Sequence, residues 1–424
     1  MTHLNDIIVL RNINKKKFRY LSASLDLIVY AYVLKGVFPS EGLTIANIIP
    51  SALFIYGAFL LLLQILNNST LTFKFNRTVS FFISLVVAYG LLTFLRGLSF
   101  NFSELFTLFG NPYVGGLIWL LPFCVYIGKQ PGVIQSLLPS FKKHAIIGLV
   151  ITGIGVVEVF ILRKSYISQN ALLTKELAFT GLKLLYGAPI VLLTRLAPSF
   201  NSILFYRACL LFTLLGALAT EQRFYVALSS FYIVLDLIIG DSSSRKSVIN
   251  KLTYFFSTVG AVIIYLLIHY FIGSLQGGDT VDTRSFLFAE IILDFELPDF
   301  IFGRGALGTY FSQYFEIQQI YGNGGDSPIR KTAEVGYLFI LLKSGLIGIM
   351  SYITVYLFTI ITALRSSKSR FAIGMALLLG LNLVEMSVSG RISIYPGNIV
   401  LWIFIGALLS RSQSNEYCNP ERYV

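Results

Sequence analysis

The sequence predicts an all-α, polytopic integral membrane fold of about twelve spans, interrupted late in the chain by one large polar loop between the ninth and tenth spans. Three observations predict it. Hydrophobic residues fill 55% of the 424 positions and charged residues only 13%, with a mean hydropathy of +0.74. No soluble globule has the interior to hide that much apolar surface. Apolar runs of roughly 20 residues, the length of helix that crosses about 30 Å of hydrocarbon, recur from end to end. Lys and Arg gather in alternate short connections, the pattern of the positive-inside bias.

The apolar windows are 20–37, 45–66, 78–98, 110–128, 144–162, 178–196, 200–220, 224–240, 252–273, 335–364, 371–388 and 396–411. The first follows a basic start that would suit a signal peptide, but no small-residue cleavage site comes after it, so it reads as a span. The sixth carries Lys183 and two glycines, and the tenth is long enough to tilt. The chain then divides into an N-terminal bundle over 1–273, an extracytoplasmic loop over 274–333, and C-terminal spans with a cytoplasmic tail over 334–424.

Orientation comes from the short connections. With Arg11, Lys15, Lys16, Lys17 and Arg19 in the cytoplasm, every second connection is basic: Lys74 and Arg77, then Lys129, Lys142 and Lys143, then Arg195, then Arg245, Lys246 and Lys251, then Arg365, Lys368 and Arg370. An even number of spans returns the C-terminus to the same side. The outward residues include Arg96, Arg223, Arg284, Arg304, Arg330, Lys331 and Arg391. Long loops escape the charge bias, so the basic residues of the large loop alone are tolerable. Arg223 and Arg391 are more telling, because each stands at the outer end of an apolar helix, where a charge is costly unless it snorkels or meets an anion.

The formal net charge of +12 suits anionic lipid and an anionic substrate. Basic residues dispersed among membrane connections do not make a nucleic-acid surface. Cys124 and Cys209 fall in spans and Cys418 in the tail, so neither a disulfide framework nor metal-ligand spacing exists, and no metal or cofactor is expected.

In the loop, Leu287, Phe288, Ile291, Ile292 and Phe295 share one helical face with Glu290 and Asp294 beside it. That pattern suits a helix in the membrane interface with Arg284 near its start, or a loop helix packed on the spans. Phe302-Gly303-Arg304-Gly305-Ala306-Leu307-Gly308 follows. Clustered glycines let backbone N–H groups approach a ligand, though no βαβ context supports a dinucleotide fingerprint. Tyr321 to Pro328 reads as a turn, and Arg330, Lys331 and Glu334 stand just before the next apolar run.

Taken in order, Thr220-Glu221-Gln222-Arg223-Phe224 at an outer helix end, Asp282-Thr283-Arg284 opening the loop, Phe302-Gly303-Arg304-Gly305 within it, and Glu334-Val335-Gly336-Tyr337-Leu338 leading to Gly345-Leu346-Ile347-Gly348 resemble the O-antigen polymerase and ligase superfamily. The resemblance covers about residues 220 to 348. It implies a GT-C-like, metal-independent glycosyltransferase of the bacterial cytoplasmic membrane that uses undecaprenyl-diphosphate-linked sugars on the outer face. Its substrates would be a lipid-linked glycan donor and acceptor, with a chain-length regulator and a flippase as partners. Ligases of this group usually carry a His, often followed by Asn, ahead of the Gly-x-x-Gly pair. Here Ala333 and Glu334 stand there, and His3, His144 and His269 map elsewhere, which favours a polymerase over a ligase.

Transfer from a lipid diphosphate breaks a sugar C1–O bond, and the departing diphosphate needs its growing charge stabilised away from bulk water. Arginine suits that task through bidentate, charge-assisted hydrogen bonds. Arg223 and Arg284 are the expected diphosphate ligands, with Arg304 or Arg330 third and Lys331 beside them. The competing reading for each is an ion pair to a loop carboxylate such as Asp282, Glu290 or Asp326. Glu334 is the first candidate for a general base, with Glu290 and Asp326 behind it. Arg391 and Arg207 are secondary candidates. Arg207, mid-span, is expected to meet Glu158, Asp236 or a water-filled cavity, as a structural pair or as a lipid-phosphate contact. Asn111-Pro112-Tyr113 and Gly115-Gly116 soften the entry to the fourth span, for an isoprenoid groove or for close helix packing. A flippase or other transporter is the competing class; it calls for intramembrane charges along a central path and two similar halves, and no internal repeat is visible. A non-enzymatic assembly partner is a third.

Overall fold

The computed structural model describes residues 18–37, 45–69, 75, 77–111, 115–130, 132–158, 175–194, 196, 200–220, 222–240, 283–320, 327–333, 335–366, 370–388 and 392–410. The ninth apolar window, 252–273, lies outside them. The described chain is an all-α polytopic membrane protein: seven helices are long and apolar enough to cross a membrane, and four shorter apolar helices accompany them.

The N-terminal bundle contains α1 (Arg19–Val37), α2 (Ile45–Ser69), α3 (Arg77–Leu95), the short amphipathic α4 (Phe102–Gly110), a 3-10 segment (Gly116–Cys124) running into α5 (Val125–Gly128), α6 (Val133–Val156), α7 (Lys175–Leu184), α8 (Gly187–Thr194), α9 (Phe200–Ala219) and α10 (Arg223–Gly240). The polar loop folds as α11 (Thr283–Asp294), α12 (Leu297–Phe302), β1 (Tyr310–Phe311), α13 (Gln313–Ile320) and β2 (Ile329–Arg330). α14 (Gly336–Ser366), α15 (Arg370–Val388) and α16 (Pro396–Leu409) close the chain.

Three local features shape the bundle. First, α7 and α8 are one apolar stretch broken at Leu185 and Tyr186. Pro189 has no N–H for the Leu185 carbonyl and its ring would strike it; Ala188 N–H takes that carbonyl instead at 2.9 Å, and Tyr186 N–H turns to the Lys183 carbonyl at 3.2 Å. Second, α16 has only 14 residues, and Ile392 to Tyr395, which lead into it, are buried without regular structure. Irregular backbone within a membrane protein is tolerated where protein surrounds it, and Asn398 Nδ2 donates to the Ser393 carbonyl at 2.9 Å to satisfy part of this one. Third, α5 and α16 cross with backbones touching: a Cβ on Gly128 would land on the Ile403 carbonyl, and one on Gly406 on the Val125 carbonyl. Small residues at a crossing permit this approach.

The fifth window departs from expectation. Its helix starts at Val133, so Lys143 and His144 stand within a candidate span instead of in the connection before it. The polar residues of this helix have partners that hydropathy cannot see: His144 is fully buried and its Nε2 lies 2.9 Å from Asp26 Oδ1 on α1, while Lys143 Nζ reaches Asp26 Oδ2 at 2.7 Å.

Arg207 on α9 meets Asp236 on α10, with Nε donating at 2.7 Å. This is one of the two carboxylates expected for it. Asp236 is nearly inaccessible while the arginine side chain is 43% exposed, so the pair satisfies a buried carboxylate from one side. Arg207→Ala is expected to cost about 1–2 kcal/mol, less than the full penalty for an ion pair broken at two buried partners. Arg207→Ala combined with Asp236→Asn recovers most of it, measured by thermal unfolding in detergent.

Candidate functional site

The loop is fastened to the bundle by its glycine motif. Gly345 in α14 has φ 65°, which breaks that helix and frees carbonyls one turn upstream. Arg304 N–H donates to the Leu342 carbonyl at 2.8 Å, Gly305 N–H to Lys343 at 2.9 Å, and Ala306 N–H to Thr93 at the end of α3 at 3.0 Å. Gly303 N–H caps α12 by donating to the Asp299 carbonyl at 2.8 Å. In the other direction, Arg96 at the end of α3 donates to the carbonyls of Phe302 and Gly303, both at 2.6 Å. Buried Lys343 donates to the Gly308 carbonyl at 2.6 Å. The amides that sequence offered as an anion cradle therefore go to helix carbonyls. Gly303 (φ 69°) and Gly345 (φ 65°) share a left-handed conformation at the contact, and a Cβ on either would overlap the backbone of the other segment.

Arg304 is an internal clamp. Its Nε donates to Asp299 Oδ2 at 2.9 Å, Nη1 donates to Asp294 and to the Thr309 carbonyl, and Nη2 to the Asp294 carbonyl. Nη2 also lies 2.8 Å from Asp299 Oδ2. Five N–H groups are all a guanidinium has, and these partners use them. Burial works against its charge, but hydrogen bonds and attraction from Asp299 and Asp294 outweigh it and raise its affinity for the proton above the arginine norm. This is the ion-pair reading of Arg304, with Asp294 and Asp299 as partners in place of Asp282, Glu290 or Asp326. Of the two arginines expected as a third ligand, Arg304 is thus engaged within the loop itself.

Glu290 also turns inward. Its Oε1 accepts Tyr314 N–H at 2.8 Å and its Oε2 accepts the Ser312 hydroxyl at 2.7 Å, which caps α13 as a carboxylate at a helix N-terminus should. On α11 Ile291 is buried, as is Phe295 just beyond its end, whereas Phe288 and Leu293 are exposed, as are Leu297 and Phe302 on α12. Both sequence readings of this helix are thus partly served: one edge packs on the bundle and another offers apolar surface suited to an interface. Arg330 pairs in register with Tyr310 and lays its guanidinium 4.0 Å from the Phe315 ring centroid. Lys331 is exposed. Arg223 is the first residue of α10 and Arg284 the second of α11; their side chains, together with Glu334, Asp326 and Arg391, lie outside the described residues.

A polar cluster centres on Glu385, a residue not among the sequence-predicted candidates. Glu385, on α15, is half-buried. Asn382, one turn away, donates to Glu385 Oε2 at 3.3 Å. Lys183 on α7, Tyr225 and Tyr232 on α10, and Tyr356 on α14 stand within electrostatic reach of the carboxylate. Tyr225 packs edge-on against Phe179 of α7 at 5.9 Å, which ties two of these walls together. Tyr337, at the start of α14 where the loop rejoins the bundle, donates its hydroxyl to the Leu383 carbonyl at 2.9 Å. Glu385 therefore sits beside the loop-bearing end. The signal was present in the sequence: a lone carboxylate in an apolar run is a functional candidate by default.

A second polar chain crosses the bundle through Asp26, His144 and Tyr186, the last at the break between α7 and α8. His144 Nδ1 lies 3.1 Å from the Tyr186 hydroxyl, and the Tyr186 ring packs against Tyr395 at 5.6 Å. Among the described residues no three His, Cys, Asp or Glu side chains gather as a metal site would require. No protein-family model, curated protein or solved structure matches this chain.

Proposed function

We propose that the protein is a membrane glycosyltransferase that polymerises undecaprenyl-diphosphate-linked oligosaccharide repeats into surface polysaccharide on the outer face of the bacterial cytoplasmic membrane. The observation that supports this reading is the polar cluster around Glu385, whose carboxylate accepts from Asn382 at 3.3 Å and has Lys183, Tyr225 and Tyr232 within electrostatic reach. Such a mixture suits sugar hydroxyls, and Arg223, the first residue of α10 and two before Tyr225, is the diphosphate ligand in this reading. A helix N-terminus adds its own partial positive charge there. Arg284 at the start of α11 and Arg330 on β2 complete the basic set, and ligase activity toward a second acceptor is the neighbouring alternative.

The test is chain extension by the purified protein in nanodiscs, supplied only with the lipid-linked repeat. A ladder of longer lipid-linked products is expected, and Arg223→Ala or Arg284→Ala should reduce its rate about a hundredfold, the scale of a lost anion-stabilising group. Transfer that appears only after a second acceptor is added makes the protein a ligase.

One observation favours a second reading. The broken helix at Tyr186 and the Asp26–His144–Tyr186 chain are features of carriers that couple movement to protons. Movement of the lipid-linked repeat across a vesicle without extension would establish that reading instead.

A further inference from the structure

Two helices place a membrane boundary at the glycine motif. α3 has 19 residues and rises about 28 Å, enough to fill the hydrocarbon by itself. α14 is longer than a span needs, but its part after the Gly345 break, Leu346 to Ser366, rises about 30 Å. Both carry an arginine at the end far from the loop, Arg77 opening α3 and Arg365 in the last turn of α14. The rings of Phe82 and Phe358, 5.9 Å between centroids, hold the two side by side. Exposure follows the same division. After the break Leu346, Met350, Leu357, Ile361 and Leu364 form one exposed stripe, whereas Leu338 to Leu342 before it are all buried. On α3 the exposed stripe is Phe81, Leu85, Leu92 and Leu95. Both stripes stop where the loop docks, with Arg304 and Gly305 N–H on the carbonyls of Leu342 and Lys343 and Ala306 N–H on that of Thr93.

Apolar exposure resumes on the docked segment. Leu293 near the end of α11 is 85% exposed, Leu297 on α12 is 73% exposed, and Phe302 is exposed as well. So are Phe100 and Phe102, just past the end of α3. The polar groups of the segment are already engaged. Asp294 and Asp299 are bound by Arg304, and the Phe302 carbonyl accepts Arg96 Nη1 at 2.6 Å and the Tyr89 hydroxyl at 3.3 Å. A carbonyl at the edge of the hydrocarbon requires such partners. We propose that α12 and the end of α11 lie in the membrane interface, with Leu293, Leu297 and Phe302 inserted among the lipids of the leaflet on the loop's side. The partner is the phospholipid surface, and continuity identifies it: the exposed apolar stripes of α3 and α14 run up to the segment hydrogen-bonded to both, where apolar exposure continues. The loop is thereby seated in the membrane instead of standing in water, a property that holds whether or not the protein is a transferase.

The experiment attaches a nitroxide to Leu293→Cys, Leu297→Cys or Phe302→Cys in a Cys418→Ser background, where Cys124 and Cys209 are buried. Each protein is placed in phospholipid nanodiscs holding one copy, and collisions of the label with oxygen, which partitions into lipid, are compared with those of a water-soluble nickel chelate. Labels at all three positions should favour oxygen and report a depth of about 5–10 Å into the headgroup and acyl boundary, shallower than the label of Leu357→Cys on the lipid-facing stripe of α14. Collisions dominated by the chelate, as in free water, overturn the inference. Shielding from both reagents, the mark of a protein contact in place of lipid, also overturns it. Wild-type protein in vesicles containing a phospholipid with a photoreactive diazirine on its acyl chain provides the test without any substitution. Adducts are expected on the peptide from Leu293 to Phe302 as well as on α3, and adducts on α3 without any on that peptide overturn the inference.

Discussion

Gly345→Ala is expected to undock the loop. The residue holds φ 65° and ψ −168°, a region essentially reserved to glycine that costs other residues about 1–3 kcal/mol, and its new methyl would drive into the Ile301 carbonyl and the Gly303 amide. Relief requires the α12 end to retreat. That retreat breaks the bonds from Arg304 and Gly305 N–H to α14, at 2.8 and 2.9 Å, and the Arg96 bonds from α3. The combined cost is about 4 kcal/mol, in the range of exceptional single substitutions. A lowered unfolding temperature together with new protease cleavage between α12 and β1 is the expected result. Gly380→Ala, on α15, serves as the comparison, because a methyl added there meets nothing within 4 Å. Equal loss from the two would refute the docking role of the Gly345 break.

Arg304→Gln is the second large effect. It removes a guanidinium that joins the end of α11, the start of α12 and the Thr309 carbonyl before β1. Asp294 and Asp299 then face each other without a cation, and about 3 kcal/mol is the expected loss for a partly buried cluster stripped of its centre. Because Arg304 binds its proton more tightly than an ordinary arginine, its contribution is fully present below the usual arginine range and is lost only as pH rises through the higher folded value. Alkaline titration to about pH 9 should therefore leave the wild-type loop as protease-resistant as at neutrality. Arg304→Lys recovers only part of the stability, since one ammonium cannot span partners arranged for a planar fork. A full rescue by lysine would show that net charge, and not geometry, holds the loop.

These two results bear on how much the chain reveals before it is folded. Where apolar residues dominate despite an isolated charge such as Asp26, Arg207 or Glu385, the windows and helices coincide to within a residue: 20–37 with Arg19–Val37, 200–220 with Phe200–Ala219, 371–388 with Arg370–Val388. The fifth window starts eleven residues late, because Pro139, Lys142, Lys143 and His144 read as a polar connection until Asp26 of another helix is brought beside them. Hydropathy scores one segment at a time and cannot credit a partner on a distant helix. The glycine motif was visible, but the destination of its amides was not, since the carbonyls they meet are released by a helix break some forty residues downstream. Arg304 and Glu290 show the same limit from the other side: their residue types suited phosphate and proton chemistry, and only folded neighbours reveal that capping and clamping already occupy them. Glu385 was legible as a carboxylate in an apolar span. Its claim on function depends on Lys183, Tyr225 and Tyr232, which only the packing of separate helices brings near it.

The 3-10 segment after α4 changes what a short span can do. Nine residues of it, Gly116–Cys124, rise about 18 Å at about 2.0 Å each, and the four residues of α5 add about 6 Å. Thirteen residues thus reach about as far as sixteen in an α-helix. Stretching the backbone also thins it, and α3 exploits the slimmer profile by laying Gly90 directly against the Trp119 carbonyl. Residue count is therefore a poor ruler for this element: insertion of a single alanine between Gly116 and Cys124 would let the coil relax toward α-helical pitch, fattening it against α3 while shortening its rise per residue.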